Sequence, residues 1–189
     1  TYTALSEVAK ALNEQGIETQ IFHIGKKAVR GCIDCGACQK IGKCAFNDDV
    51  ANEMLVLMQK ADGIIIGSPV YYAGPNGALC ALLDRVFYSS KGTLAFKPSA
   101  AVVSARRSGT TATFNRLNMY FTMNRMPVVS SQYWNGVHGF TPDDVLKDEE
   151  GLQTMRTLGY NMAWVLKNIE CRNQKYPEIE PWKPTHFIR

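Results

Sequence analysis

Four cysteines stand within thirteen residues, spaced Cys32-x2-Cys35-x2-Cys38-x5-Cys44. A two-residue gap lets a tight turn present successive sulfurs to one point, so these thiolates can all face a single small inorganic group. An iron–sulfur cuboid of the 4Fe–4S type is the first chemistry such a run supports. Four thiolates also make a closed tetrahedral zinc site. Zinc knuckles, however, usually draw two Cys pairs from places more than about a dozen residues apart. Gly31, Gly36 and Gly42 suit a wrapping loop, because positive φ lets backbone amides point inward at sulfides. Two disulfides, or four thiols without metal, are the plainer readings of the same spacing.

Two other segments have the residue types of a ligand-binding turn. The first is Ser68-Pro69-Val70-Tyr71-Tyr72-Ala73-Gly74-Pro75-Asn76-Gly77. Its prolines fix the path, its glycines permit close backbone approach, and its tyrosines offer aromatic faces to a flat, planar cofactor. The second is Ser104-Ala105-Arg106-Arg107-Ser108-Gly109-Thr110-Thr111, which can donate several amides to a polar ring edge. Ser, Gly and Pro also build ordinary connections. Two such turns at adjacent strand ends, beside a cysteine cluster, favour a ligand over connection chemistry alone.

The elements that must position these segments are legible as alternating periodicities. Ala4, Leu5, Val8, Ala9 and Leu12 predict a helix over 3–13, with Gly16 as its stop. Residues 17–24 alternate as a half-buried strand, and Asn47-Asp48-Asp49 offers a cap to a helix carrying Val50, Met54, Leu57 and Met58. The apolar run after Asp62 reads as a strand buried on both faces. It is followed by a helix over 77–88, a strand over 99–104, a helix over 110–123, a strand over 127–133 and a long helix over 149–169. Strands alternating with helices predict an α/β fold with a parallel sheet covered on both sides. Ligands of such folds collect at the carboxyl ends of the strands, where helix N-termini supply free amides. The reading is one domain over 1–189, with a cysteine-rich loop at 31–46 and an extended C-terminal arm at 176–189 that packs on the body or on a partner subunit.

At 189 residues the chain suits one sizeable core. A net charge of +4 with scattered Lys and Arg gives no stripe for nucleic acid. No apolar run approaches the roughly 18 residues of a membrane span, and the start shows no secretory pattern. Four clustered cysteines with Cys80 and Cys171 isolated are poor material for a secreted disulfide framework, so the expected compartment is a reducing cytoplasm. His23, His138 and His186 lack a spaced partner and read as ordinary surface or core residues. Of the three, His138 beside Trp134 is best placed to approach a substrate. Cys80 and Cys171 read as packing residues.

The stretch Ala61-Asp62-Gly63-Ile64-Ile65-Ile66-Gly67-Ser68-Pro69-Val70-Tyr71-Tyr72, with Leu82-Leu83-Asp84-Arg85 after it, resembles the signature of the flavodoxin-like NAD(P)H-dependent FMN reductases. With the four-cysteine loop, the chain is similar to the iron–sulfur flavoproteins of that superfamily. The resemblance extends to Pro127-Val-Val-Ser-Ser-Gln-Tyr-Trp and to Phe187-Ile188-Arg189. It implies a doubly wound five-stranded parallel sheet in the order 2-1-3-4-5. It also implies FMN along the strand ends, with Ser68 to Tyr72 and Ala73 to Gly77 against the ring and Ser104 to Thr110 on its pyrimidine side. Members of the family open with a strand and a phosphate-binding loop, and this chain starts at about the end of that loop. Thr1 and Thr3 are then what remains of the phosphate site, and the first strand is expected to be missing from the sequence.

The function implied by the resemblance is that of an oxidoreductase, which takes electrons from NAD(P)H or from reduced ferredoxin and reduces flavin, quinone or another small acceptor. Arg106 and Arg107 would stabilise reduced flavin or a nicotinamide phosphate, or else form a solvated loop pair. Asp84 and Arg85 read as structural contacts of their helix. A homodimer or homotetramer is expected, so that a neighbouring subunit closes the distance between cysteine loop and flavin. Two other functions fit the same residues: an electron carrier without a small substrate of its own, and a zinc-stapled binding module without redox chemistry.

Overall fold

The computed structural model describes residues 1–172, 175–181 and 183. Seven helices and four strands are formed among them: α1 (Tyr2–Glu14), α2 (Cys38–Ile41), α3 (Ala51–Lys60), β1 (Ile64–Tyr71), β2 (Gly74–Pro75), α4 (Gly77–Ser89), β3 (Ser99–Ala105), α5 (Thr110–Met123), β4 (Gly136–His138), α6 (Pro142–Val145) and α7 (Glu149–Arg172). The long helices follow the apolar periodicity closely. Ala4, Val8, Ala11 and Leu12 share the buried face of α1.

The sheet is mixed, in the order β2-β1-β3-β4. β1 and β3 run parallel from Ile64 opposite Ser99 to Pro69 opposite Ser104, and β3 continues parallel to β4 with Ala105 opposite His138. Side-chain alternation along β3 then feeds two cores. Ala101 and Val103 pack with Leu82, Leu83, Val86 and Phe121 under α3, α4 and α5. Ala100 and Val102 pack with Val8, Met155 and Leu158 under α1 and α7. Burial of each of these Leu, Val or Met side chains stabilises by about 1.5–3 kcal/mol relative to exposure. The approach of α7 to α1 is so close that a Cβ on Gly159 would lie 2.6 Å from Ala11 Cβ.

Several sequence expectations change. The five-stranded 2-1-3-4-5 order is not formed among the described residues, although β1, β3 and β4 make a parallel ladder of the kind expected. Residues 17–24 keep alternating exposure but carry no ladder hydrogen bonds, because no strand among the described residues lies beside them to complete the pairing. The strand expected over 127–133 is reduced to one bridge, Val128 with Ser99, and the paired segment lies farther on at β4. Pairing there is helped by the buried Asn135, whose Nδ2 donates to Ala101 O at 3.0 Å. The cap of α3 is Val50, with Asp49 Oδ1 accepting from Ala51 N at 3.1 Å. In the C-terminal arm, Tyr176 stacks on Phe96 with centroids 5.0 Å apart. Trp182, His186 and the closing Phe187-Ile188-Arg189 lie outside the described residues.

Candidate functional site

The carboxyl ends of β1, β3 and β4 meet at one edge, and backbone geometry shapes what lies there. Beyond β1 the chain reverses through Tyr72 and Ala73, both at positive φ (47° and 60°), into β2. Two consecutive left-handed residues in a two-residue loop match the twist of a hairpin. The turn leaves Tyr71 and Tyr72 exposed. Ser68 is fully buried, and its Oγ accepts from Asn76 N at 2.9 Å, while Asn76 Oδ1 caps α4 by accepting from Leu79 N at 2.9 Å. Residues 68–77 are thereby fixed from Ser68 to the first turn of α4.

The second turn, 104–110, lies directly against the first. Gly109 has φ +89°, and a Cβ there would stand 2.7 Å from Val70 Cγ1 and 3.0 Å from Ala73 Cα. A bare backbone at this junction leaves the first-turn amides of α5 without a side-chain cap. Free amides at a helix N-terminus suit anionic or carbonyl oxygens. Thr1, at the start of α1, is brought to this edge: its Oγ1 lies 2.5 Å from Ser104 Oγ. Thr3 is half-buried in the first turn of α1. Arg106 is exposed, with its guanidinium 5.6 Å above the Phe140 ring, and Arg107 is exposed as well.

A cleft of about 130 Å³ opens between the first turn of α5, β4 and the start of α7, lined by Thr110, Phe114, Trp134, Asn135, His138 and Asp148. His138 and Trp134 thus share a wall, as the sequence suggested. The main-chain N–H of His138 donates to Asp148 Oδ2 at 2.6 Å, and its imidazole Nδ1 lies 3.8 Å from the same carboxylate oxygen.

The cysteine loop has a different construction. Only the one-turn α2 is regular within it, and all six cysteines of the chain are free thiols. Cys32, Cys35, Cys38 and Cys44 line one cavity together with Arg85 and Tyr88. Cys32 and Cys35 are exposed, whereas Cys38 and Cys44 are buried. Among the described residues no three His, Cys, Asp or Glu side chains converge on a point where a metal ion could be held. Burial pushes the Cys38 thiol up, and the neighbouring Cys35 and Cys32 push it further. Four thiolates here therefore need compensating positive charge.

One such charge comes from α4. Arg85 is 2% exposed, and its Nε donates to Cys44 Sγ at 3.2 Å. Its Nη1 donates to Arg30 O at 3.3 Å and to the Asp49 carboxylate, and its Nη2 donates to Phe46 O at 3.3 Å. Burial raises the Asp49 carboxyl, but hydrogen bonds from Arg85 and Ala51 overcome this and hold it below the usual range. Asn52 secures the backbone of the same cysteine: Cys44 N donates to its Oδ1 at 2.8 Å, and its Nδ2 donates to Cys44 O at 2.9 Å. The sequence pointed to contacts by Arg85 but not to its place in the loop. The available signal was a charge in the buried stretch Leu82-Leu83-Asp84-Arg85-Val86-Phe87, where a guanidinium needs partners. Asp84 is exposed and serves α5 instead, accepting from Tyr120 Oη at 2.5 Å.

Residues 1–141 match the family model described as NADPH-dependent FMN reductase. The chain belongs to that family. An iron–sulfur flavoprotein of Methanocaldococcus jannaschii is 35% identical over 181 residues, spanning 90% of this chain and 92% of the relative. An iron–sulfur flavoprotein of Methanosarcina thermophila is 31% identical, spanning 91% and 89%. Within the FMN reductase family the chain therefore falls in the iron–sulfur flavoprotein branch. Among solved structures, a flavodoxin from the domain Archaea superposes with a TM-score of 0.60 at 16% identity, over 88% of this chain and 90% of that one. This likeness establishes a flavodoxin-like α/β fold, while the described sheet remains the four-stranded mixed one.

Proposed function

We propose that this flavin oxidoreductase binds FMN at the joined turns 68–77 and 104–110, holds a 4Fe–4S cluster on Cys32, Cys35, Cys38 and Cys44, and draws electrons from NAD(P)H or reduced ferredoxin. When bound, the flavin supplies two-electron acceptance and one-electron release, and the cluster carries single electrons. The residues present fit both groups. Gly109 lets the two turns pack against each other with no Cβ between them, the uncapped amides of α5 suit the carbonyl oxygens of the pyrimidine side, and Thr1 with Thr3 suits the phosphate end. The four cysteines line one cavity, and four thiolates are the ligand set of a cuboid cluster.

The observation that carries the reading is the gathering of all four cysteines around one cavity in a chain whose carboxyl strand ends form a glycine-floored edge. The chain's own residues position, desolvate and neutralise; no acid–base triad is required. Tyr71 and Tyr72, exposed at the hairpin tip, would wall the ring or meet a second subunit. Trp134 and Phe140 are also exposed near β4, and exposed aromatic side chains suit an association surface. The expected assembly is a homodimer or homotetramer in which one subunit's cysteine loop serves its neighbour's flavin. The compartment expected for such a centre is the reducing cytoplasm. The small acceptor reduced is a flavin, a quinone or a molecule of similar size.

Protein prepared without oxygen should contain about one FMN and four irons per chain, the stoichiometry of one flavin and one cuboid, and should oxidise NAD(P)H under the same conditions. Zinc in place of iron, or no FMN when it is supplied in excess, would overturn the reading. Iron and FMN without NAD(P)H oxidation would favour the ferredoxin-fed carrier instead.

A further inference from the structure

Resting on the iron–sulfur reading above, we propose that Arg85 is the positioning residue of the cysteine centre and holds its reduction potential up through the bond to Cys44 Sγ. All three nitrogens of the guanidinium are engaged with the segment that carries the cysteines. Nε meets Cys44, Nη1 meets Arg30 O and Asp49, and Nη2 meets Phe46 O. Arg30 precedes the first cysteine and Phe46 follows the last, so one rigid fork from α4 ties both ends of the loop. A planar, permanently charged donor set suits this task, and lysine cannot reproduce it.

An N–H aimed at a cluster sulfur withdraws electron density from it and favours the more negative, reduced state, which raises the potential. The influence is concentrated at Cys44, because Cys32 and Cys35 are exposed to water and Cys44 is the cysteine that receives the guanidinium. Burial of Arg85 keeps water from screening the interaction. Asp49 neutralises the far side of the fork at Nη1 without displacing the Nε–H from sulfur. Tyr88, on the cavity wall, also faces the loop from α4.

The test uses full-length protein handled without oxygen, comparing wild type with Arg85→Gln and Arg85→Lys. Iron, sulfide and FMN per chain are measured, together with the midpoints of both centres by redox titration followed by electron paramagnetic resonance. The Gln variant should hold its flavin at an unchanged midpoint and show a cluster midpoint clearly more negative than wild type, with Lys between the two. A Gln variant that keeps FMN but loses iron, with a Lys variant that keeps iron at a lowered midpoint, also supports the assignment. Full iron at the wild-type midpoint in both variants overturns it, as does an equal shift in flavin and cluster. Wild-type protein with FMN and no iron removes the underlying reading and the assignment together.

Discussion

The strand-end turns and the cysteine loop contrast in what holds them. The turns at 68–77 and 104–110 are extensions of a hydrogen-bonded ladder, with register fixed from Ile64–Ser99 to Pro69–Ser104. Main-chain geometry at Tyr72, Ala73 and Gly109 shapes them. The cysteine loop has one helical turn of its own and is fastened by side chains that reach in from outside, Arg85 from α4 and Asn52 from α3. A site shaped mainly by backbone fails when a Cβ is added, even though Ser68 Oγ and Asn76 Oδ1 also fasten its first turn. A loop fastened by a few side chains, with Lys91 Nζ on Gln39 O beside Arg85 and Asn52, should behave the other way round.

The contrast breaks first at Arg85. Arg85→Ala leaves Asp49 buried without its partner, and removing one member of a buried pair costs about 3–5 kcal/mol. A stability loss of that size, read as a lower urea midpoint at unchanged slope, is expected, with the loss of the cysteine centre. The same pair gives a pH signature. Because the folded Asp49 carboxyl lies below its unfolded value, its contribution is present above the usual carboxylate range of about 4 and fades as pH falls through the lower folded value. In Arg85→Ala, where burial acts on Asp49 without the arginine, that acid-side dependence should flatten or reverse, as read by unfolding between pH 2 and 6. Asn52→Ala is next. It strips the partners from Cys44 N and Cys44 O and one of the two donors from Phe46 O, which keeps Arg85 Nη2, at about 1–3 kcal/mol for part-buried polar groups left unsatisfied. Iron should fall while FMN stays bound, and equal loss of both would erase the distinction between the regions.

Gly109→Ala tests the opposite side. The left-handed φ alone costs about 1–2 kcal/mol for a residue with a Cβ, and the new methyl would also press on Val70 and Ala73. FMN affinity should drop at least about tenfold, the equivalent of 1.4 kcal/mol, with iron unchanged. Titration of apo-protein with FMN, followed by fluorescence, reads this directly.

What the sequence revealed divides along the same line. The five long helices and the β1 and β3 strands were legible because apolar periodicity is local, whereas the one-turn α2 and α6 are too short to show it; the turns were legible because Gly, Pro and Ser announce backbone geometry. The cysteine cluster was visible as spacing. Its fastening was not, since Arg85 lies 41 residues from Cys44 and only the packing of α4 brings them together. Pairing failed in the same way: 17–24 alternates as a strand should, but a ladder depends on a neighbour that alternation does not encode. The strand expected over 127–133 follows the alternation of elements, yet the hydrogen bonds go to Gly136–His138, where Asn135 locks onto Ala101 O.

The smallest effect sharpens the comparison from the part of the molecule that touches neither region's ligand. Tyr120 is buried between α4 and α5, donates to Asp84, accepts from Arg116 Nη2 at 2.9 Å and stacks on Phe87 at 5.3 Å. Burial, then the Asp84 carboxylate, pushes its phenol far above the ordinary range. A folded value above the unfolded one means that the contribution is complete below about pH 10, the unfolded phenol value. It is lost as pH rises beyond that, because the unfolded chain then gives up the proton first. Tyr120→Phe should cost about 0.5–1.5 kcal/mol at neutral pH, the net worth of a hydrogen bond. It should also show a shallower loss of stability than wild type between pH 9 and 11. Because α4 carries Arg85 on one face and Asp84 on another, the cluster midpoint should stay fixed in this variant. A midpoint that moved with Tyr120 would mean that α4 as a whole, and not the Arg85 fork, sets the cysteine centre.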